Sequence, residues 1–388
     1  MHLHELCGSW IDNPFWRSAI RLDSQDDLVL ILRCGIQDAW IDISKGLDVA
    51  ESDEIGVTAC EPVALMLAPA PKLPPIVNHV SFEDELVEAA EICARGKQAI
   101  TSMLQDVRMG RALNADNVQP LVEEISVSIS RNPGALIGLA RLKTKDDYTY
   151  MHSVAVCALM ISLARQLGFC DEDTRQAGMA GLLHDVGKMA IPQHILNKPG
   201  ALTDDEFVSV KLHPEAGHKI LSEARGVHPI ALDVCLHHHE KMNGTGYPHR
   251  LAGEQISLFA RMGAVCDVYD AITSNRSYKA GWCPAESIHK MSEWKGHFDD
   301  SIFQAFVKSV GIYPVGTLVR MQSGRLGIVV EQTEKSLLKP QIKVFFSTKS
   351  MSHIAPELLS LSAPGLQDKI VSREDPSKWD FKKTNRFW

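Results

Sequence analysis

The chain has 388 residues, 45% of them hydrophobic and 23% charged, with a formal net charge of −8. That length implies two or three domains with ample core. The acidic balance excludes a general binder of nucleic-acid polymers, and no apolar run reaches membrane-spanning length. A local basic pocket for a phosphate ligand stays compatible with both.

The opening MHLHELCGSW has neither a basic nor a long apolar stretch, so no signal peptide is expected. Nine cysteines run from Cys7 to Cys283 without a C-x-x-C, which suits reduced, mostly buried thiols in the cytoplasm. Residues 1–65 read as a small β-containing module. Its strand candidates are Leu28–Arg33 and Ala39–Ile43, with Trp10, Phe15, Trp16 and Trp40 available for a core. Pro69, Pro71, Pro74 and Pro75 mark a linker over 66–81.

From Ser81 the hydrophobic period becomes helical. Ser81 is an N-cap before acidic residues, and Phe82, Leu86, Ala89, Ala90 and Cys93 form a stripe. A second helix covers Val118–Ser130, and Asn132-Pro133-Gly134 breaks it before a short turn over Leu136–Lys143. These connecting helices occupy 82–145. Over 146–310 helix follows helix: Tyr148–Leu167, Glu172–Asp185, Asp204–Glu223, Pro229–Glu240, Ile256–Ser274, Ala285–Trp294 and Asp300–Val310. The fold class is therefore mainly α, an all-α bundle. Residues 311–388 turn to β, with a hairpin around Ser323-Gly324, a strand at Ile342–Phe346, and a polar tail from Ala363.

Histidine is the unusual component: 16 in all, nine of them between His184 and His249. His152, His184-Asp185, His213, His237-His238-His239-Glu240 and Asp267 each fall on or beside a separate helix. A lone histidine is more often a hydrogen-bonded, partly buried residue. His2, His4, His79, His228, His249, His289 and His297 take that reading. The set does not, because an apolar bundle would not bury so many titratable groups without a compensating charge. Imidazole and carboxylate ligands suit iron, manganese, nickel or zinc. Asp185 has two oxygens and could bridge two ions.

These residues carry a resemblance. YTYMHSV (148–154), HDVGK (184–188), His213, HHE (238–240), GTGYP (244–248) and DVYDAITSNRSYK (267–279) make residues 146–310 similar to the HD-GYP domain of the HD phosphohydrolase superfamily. Residues 1–65 resemble the small uncharacterised module that often precedes it. The resemblance implies an HD-superfamily helical bundle and two divalent transition-metal ions, iron or manganese before zinc. It implies that His152, His184, Asp185 and Asp267 hold one ion. Asp185, His213, His238 and His239 hold the other, and His237 is left as a neighbour. Tyr148 stands where a third-metal glutamate is found in some members, so two ions are expected.

The implied reaction is hydrolysis of cyclic di-GMP to pGpG and on to GMP, by a hydroxide shared between the metals. Asp185 and Lys188 are the catalytic candidates. Lys188, Arg276, Lys279, Gly246, Tyr247 and Pro248 are the substrate-binding ones. Gly244, Gly246, Tyr247 and Pro248 shape the pocket rim, with Tyr247 near a guanine or a diguanylate cyclase domain. Asn243 departs from the more usual aspartate. The alternatives are a cyclic di-GMP sensor or interaction module with little turnover, or a hydrolase of another nucleotide.

Overall fold

A computed structural model describes residues 2–7, 20–21, 38–41, 80–141, 148–274 apart from 197, 199 and 201, 281–333, and 336–379 apart from 364, 367 and 375–377. The chain divides into two compact units, Met1–Ala70 and Pro71–Trp388. In the first, β1 (His2–Cys7) pairs antiparallel with β2 (Ile20–Arg21) and β3 (Asp38–Ile41), in the order β2-β1-β3. β3 overlaps the expected strand at 39–43, whereas Leu28–Arg33, Trp10, Phe15 and Trp16 lie outside the described residues.

The second unit is helical, then β. Its first helix, α1 (Phe82–Arg108), starts where the Ser81 side chain accepts from the Asp84 backbone N–H, with Glu83, Asp84 and Glu85 in the first turn. Its buried positions, Phe82, Glu85, Ala89, Ile92, Gly96, Ile100 and Met103, recur every three or four residues. Each large one stabilises by about 1.5–3 kcal/mol. The buried Glu85 carboxylate is matched by Ser128 and Arg131. α2 (Gln119–Arg131) and α3 (Pro133–Arg141) follow, separated at Asn132 as the Asn-Pro-Gly sequence predicts.

The helix at the centre is α4 (Tyr148–Gln166), with Met151–Ala164 buried on every side. Such a helix is apolar all round instead of striped. It packs against α1, α2, α3, α5 (Asp171–Leu183), α10 (Leu258–Thr273) and α12 (Asp300–Val310). Between α5 and α10 lie α6 (Gln193–Leu196), α7 (Asp204–Val210), α8 (His213–Ser222) and α9 (Pro229–His237); α11 (Pro284–Glu293) comes between α10 and α12.

One expected helix, Asp204–Glu223, is two. Pro214 has no N–H to give and its ring clashes with the carbonyl four residues back, so the helix stops at Val210 and restarts at His213. The break places His213 at the start of α8.

The C-terminal strands form one antiparallel sheet, ordered β7-β6-β5-β4-β8: β4 (Leu318–Met321), β5 (Arg325–Thr333), β6 (Ser336–Ser347), β7 (Ser352–Ser360) and β8 (Ile370–Arg373). Gly324 takes the left-handed conformation (φ +83°) in the β4–β5 turn. Lys343 reaches Glu83 on α1, and Asn132 donates to Glu331, fastening sheet to helices. β8 lies in the polar tail from Ala363, where no strand is expected. It is a short edge strand whose residues are mostly exposed, so it shows no apolar alternation. Among the described residues no helix is long and apolar enough to cross a membrane.

Candidate metal centre

Four side chains converge where α4, α5 and α10 meet. His152 stands in the first turns of α4, His184 caps the end of α5, Asp185 follows it, and Asp267 lies on α10. His152 Nε2 is 3.2 Å from His184 Nε2, 3.3 Å from Asp185 Oδ2 and 3.0 Å from Asp267 Oδ1. His184 Nε2 is 3.2 Å from Asp185 Oδ2 and 3.8 Å from Asp267 Oδ1. Ligands at about 2.1 Å from an ion stand roughly 3.0 Å apart at right angles and roughly 3.4 Å apart in a tetrahedron. The four atoms thus have the spacing of a ligand shell.

A second group lies across Asp185. His213, His238 and His239 offer nitrogens within 4.8 Å of one another. His213 Nε2 is 3.4 Å from His238 Nε2 and 3.3 Å from Asp185 Oδ1, and His238 Nε2 is 3.9 Å from the same oxygen. His239 Nδ1 is 3.8 Å from Asp267 Oδ2. Asp185 therefore turns one oxygen to each group. Its Oδ1 is buried and makes no hydrogen bond. A buried carboxylate oxygen left so is costly unless something electropositive meets it. The donor set, nitrogen and oxygen without sulfur, fits a first-row transition ion on each side.

The ring orientations agree. His184 Nδ1 faces Gly181 O at 2.8 Å, His213 Nδ1 faces Val210 O at 2.8 Å, and His238 Nδ1 faces Val234 O at 3.0 Å. A carbonyl oxygen only accepts, so each Nδ1 carries the proton and each Nε2 is free to ligate. His152 does the same through a carboxylate: its Nδ1 is 2.6 Å from Asp270 Oδ2. Asp270 lies in the DVYDAITSNRSYK stretch but has no role in the sequence reading. A second aspartate three residues after the candidate Asp267, on the same helix face, is the signal that could have found it. Asp270→Asn is expected to weaken metal retention about 10- to 100-fold with the helical content unchanged. Competition with a chelator of known affinity measures it, and unaltered retention would remove Asp270 from the centre.

Without metal the site is held by protons. Burial works to push the Asp185 carboxyl up, but Lys188, His184 and His152 outweigh it and hold it well below the usual carboxylate range. Asp267 is held down in the same way by His152 and His184. Burial opposes charge on His184, yet Asp185 and Asp267 raise it to about 10. In the other group burial dominates, and His213 falls to about 4 and His239 to about 3, while His238 falls well below its ordinary value. Those three are neutral imidazoles, ready to ligate. An ion taken up on the first side would displace protons.

The remaining predicted residues surround this cluster. Lys188, half-buried in the 3-10 turn Val186–Ala190, hydrogen-bonds Asp185 Oδ2. Tyr247 stacks on His239, with ring centroids 4.7 Å apart and planes 29° apart. Gly246 is buried, and a Cβ there would stand 2.5 Å from Glu240 Cα and 2.6 Å from His239 O, so only glycine lets the loop pass so close. Pro248 follows a cis peptide bond.

Glu240 fixes that loop: its buried carboxylate accepts from the backbone N–H groups of His249 (2.7 Å) and Leu251 (3.1 Å). Asn243 Oδ1 accepts from Thr245 N and Oγ1, the turn-forming task an aspartate would perform. His237 points away, to Asp233 (2.7 Å) and His249 (3.1 Å). Arg276 and Lys279 lie outside the described residues, as does the side chain of Tyr148, which opens α4.

Known proteins place this arrangement. A family model described as "HD domain" matches residues 125–302, and one described as "Domain of unknown function (DUF3391)" matches residues 1–118. The chain is 54% identical to "Cyclic di-GMP phosphodiesterase PA4108" of Pseudomonas aeruginosa, over 100% of this chain and 92% of that protein. It is 44% identical to "Cyclic di-GMP phosphodiesterase response regulator RpfG" of Xanthomonas campestris pv. campestris, over 36% of this chain and 37% of that one. "3'3'-cGAMP-specific phosphodiesterase 2" of Vibrio cholerae is 30% identical over 60% of this chain and 42% of its own length. HD-domain phosphohydrolases are metal-dependent, and the matched segment spans all seven residues of the cluster. With identity sustained end to end, this chain belongs to the HD-GYP family of the HD superfamily, in the form that carries the DUF3391 module ahead of its catalytic bundle.

Proposed function

We propose that this chain is a phosphodiesterase that hydrolyses cyclic di-GMP to pGpG and on to GMP, using two metal ions. Support for the substrate comes from the 54% identity to a protein of that activity over the whole chain. Support for two ions comes from one observation: the Asp185 carboxylate faces His152 and His184 with Oδ2, and His213 and His238 with the unbonded Oδ1. His152, His184, Asp185 and Asp267 would hold the first ion, and Asp185, His213, His238 and His239 the second. Iron or manganese suits these donors. When bound, two ions there would lower the pKa of a water and neutralise charge on the phosphoryl oxygens.

The chain's own groups do the rest. Asp185 keeps both halves of the site in register. Lys188 brings a half-buried ammonium to the same carboxylate, placed to meet a phosphate oxygen or to protonate the leaving one. Tyr247, fixed by its stack on His239 and by Gly246 and Pro248, walls the rim. Arg276 and Lys279, which follow α10 in sequence, would clamp phosphate, since an arginine fork suits two oxygens.

The test is incubation of protein loaded anaerobically with Fe(II) or Mn(II) with cyclic di-GMP, products separated by chromatography. About two ions per chain, pGpG formation and then GMP are expected. Two bound ions with no product in either metal would overturn the activity, and a loaded protein holding one ion would overturn the dinuclear centre. The competing substrate is 3'3'-cGAMP, because a relative 30% identical over 60% of this chain carries that specificity in its name. A parallel assay decides between the two by the ratio of kcat/KM.

A further inference from the structure

Lys211 is a cation that the reading above does not use. It is the C-cap of α7, two residues before His213, and it owes its place to the helix break at Pro214. Its Nζ lies 4.5 Å from the ring centroid of Phe207 and 5.5 Å from that of Tyr247. Among the described residues no carboxylate stands within ion-pair distance of it, whereas Lys188 is already bonded to Asp185. Aromatic faces attract an ammonium that has no acidic partner and leave its N–H donors open. Tyr247 in turn stacks on His239. Lys211 thus stands one ring outside the ligand cluster, at the rim.

Resting on the proposed activity, we propose that Lys211 is a substrate-binding residue, and that it holds the phosphate of a cyclic dinucleotide that is not being cleaved. Such a substrate carries two phosphates on one ring, and only one can sit between the metal ligands. The second must lie away from the centre, toward the rim. The chain carries a net charge of −8, and the first turn of α7 holds Asp204, Asp205 and Glu206, so a cation on that side offsets their repulsion of a dianion. A compact ammonium on a flexible four-carbon stem can follow a phosphate as the substrate seats. The helix C-terminus favours a cation there too, but that accounts only for a lysine in the last turn. It does not account for one laid between Phe207 and the Tyr247 of the pocket loop.

The experiment is steady-state kinetics of Lys211→Met, which keeps the stem on the rings and removes the charge, on two substrates. For cyclic di-GMP, KM should rise about tenfold, the size of one lost charged hydrogen bond, with kcat and the metal content unchanged. Lys211→Arg should recover most of the loss. For bis(p-nitrophenyl) phosphate, which has a single phosphate, kcat/KM should not change. An active parent whose Lys211→Met variant keeps its KM for cyclic di-GMP overturns the assignment alone. Equal losses on both substrates overturn it as well, since they mark a brace for the Tyr247 loop. A parent inactive on cyclic di-GMP overturns the proposed activity, and this assignment with it.

Discussion

Replacing Asp185 by Asn is expected to lower turnover of cyclic di-GMP at least about a thousandfold, equivalent to roughly 4 kcal/mol of transition-state stabilisation. Asn keeps the volume and one acceptor oxygen, but its amide nitrogen carries two protons and cannot ligate. In the native chain Oδ2 meets His152 Nε2 at 3.3 Å and His184 Nε2 at 3.2 Å, and Oδ1 meets His213 Nε2 at 3.3 Å. The variant can serve one side only. Metal content should fall from about two ions per chain to about one or fewer, while far-UV circular dichroism stays that of the parent, because the helices are held by the apolar shell of α4 and not by this carboxylate. Asp185→Asn protein that retained two ions and turned over within tenfold of the parent would show that no bridge exists.

The candidates for this centre are legible in the sequence because each sits at a helix end or on a buried helix face, where period and caps are the strongest local signals, while their division into two sets comes from the resemblance. His184-Asp185 reads as a helix terminus, and the terminus is two residues earlier than expected, at Leu183. His237-His238-His239 reads as a run from which two histidines must be chosen. The resemblance selects the two next to Glu240; in the structure α9 ends at His237, whose ring returns to Asp233 one turn back, while His238 and His239 lie past the end and turn inward.

What local signals do not carry is contact between distant segments. Asp270 is an ordinary helical aspartate until α4 brings His152 to within 2.6 Å of it. Lys211 is an ordinary lysine until the pocket loop brings Tyr247 beside it. β8 pairs with β4 from a segment with no alternation of its own, since an edge strand can be specified by its partner's hydrogen bonds.

Gly187 is where sequence, packing and chemistry meet most tightly, and Gly187→Ala should damage all three. The residue stands between Asp185 and Lys188, in the 3-10 turn Val186–Ala190. A Cβ there would lie 1.9 Å from His213 O, 2.4 Å from Gly217 N and 2.8 Å from Gly217 Cα. All three are backbone atoms of α8, so no side chain can swing aside. Either the turn or the whole first part of α8 must retreat by about an ångström or more, and His213 is the first residue of that helix. Overpacking of this kind costs about 1–3 kcal/mol, and the upper end applies when backbone meets backbone. A displacement of that size at a ligand costs roughly a hundredfold in rate. The expected variant has a lowered Tm, loses the ion on the His213 side before the one on the His152 side, and turns over cyclic di-GMP at least about a hundredfold more slowly. Metal analysis after gel filtration and a thermal melt read the first two outcomes, and product chromatography reads the third. The contrast with Asp185→Asn is in the melt: Gly187→Ala should be the less stable even when both are stripped of metal, because its defect is steric and no ion relieves it. A Gly187→Ala protein with the parent's melt and two ions would show that the turn does not press on α8.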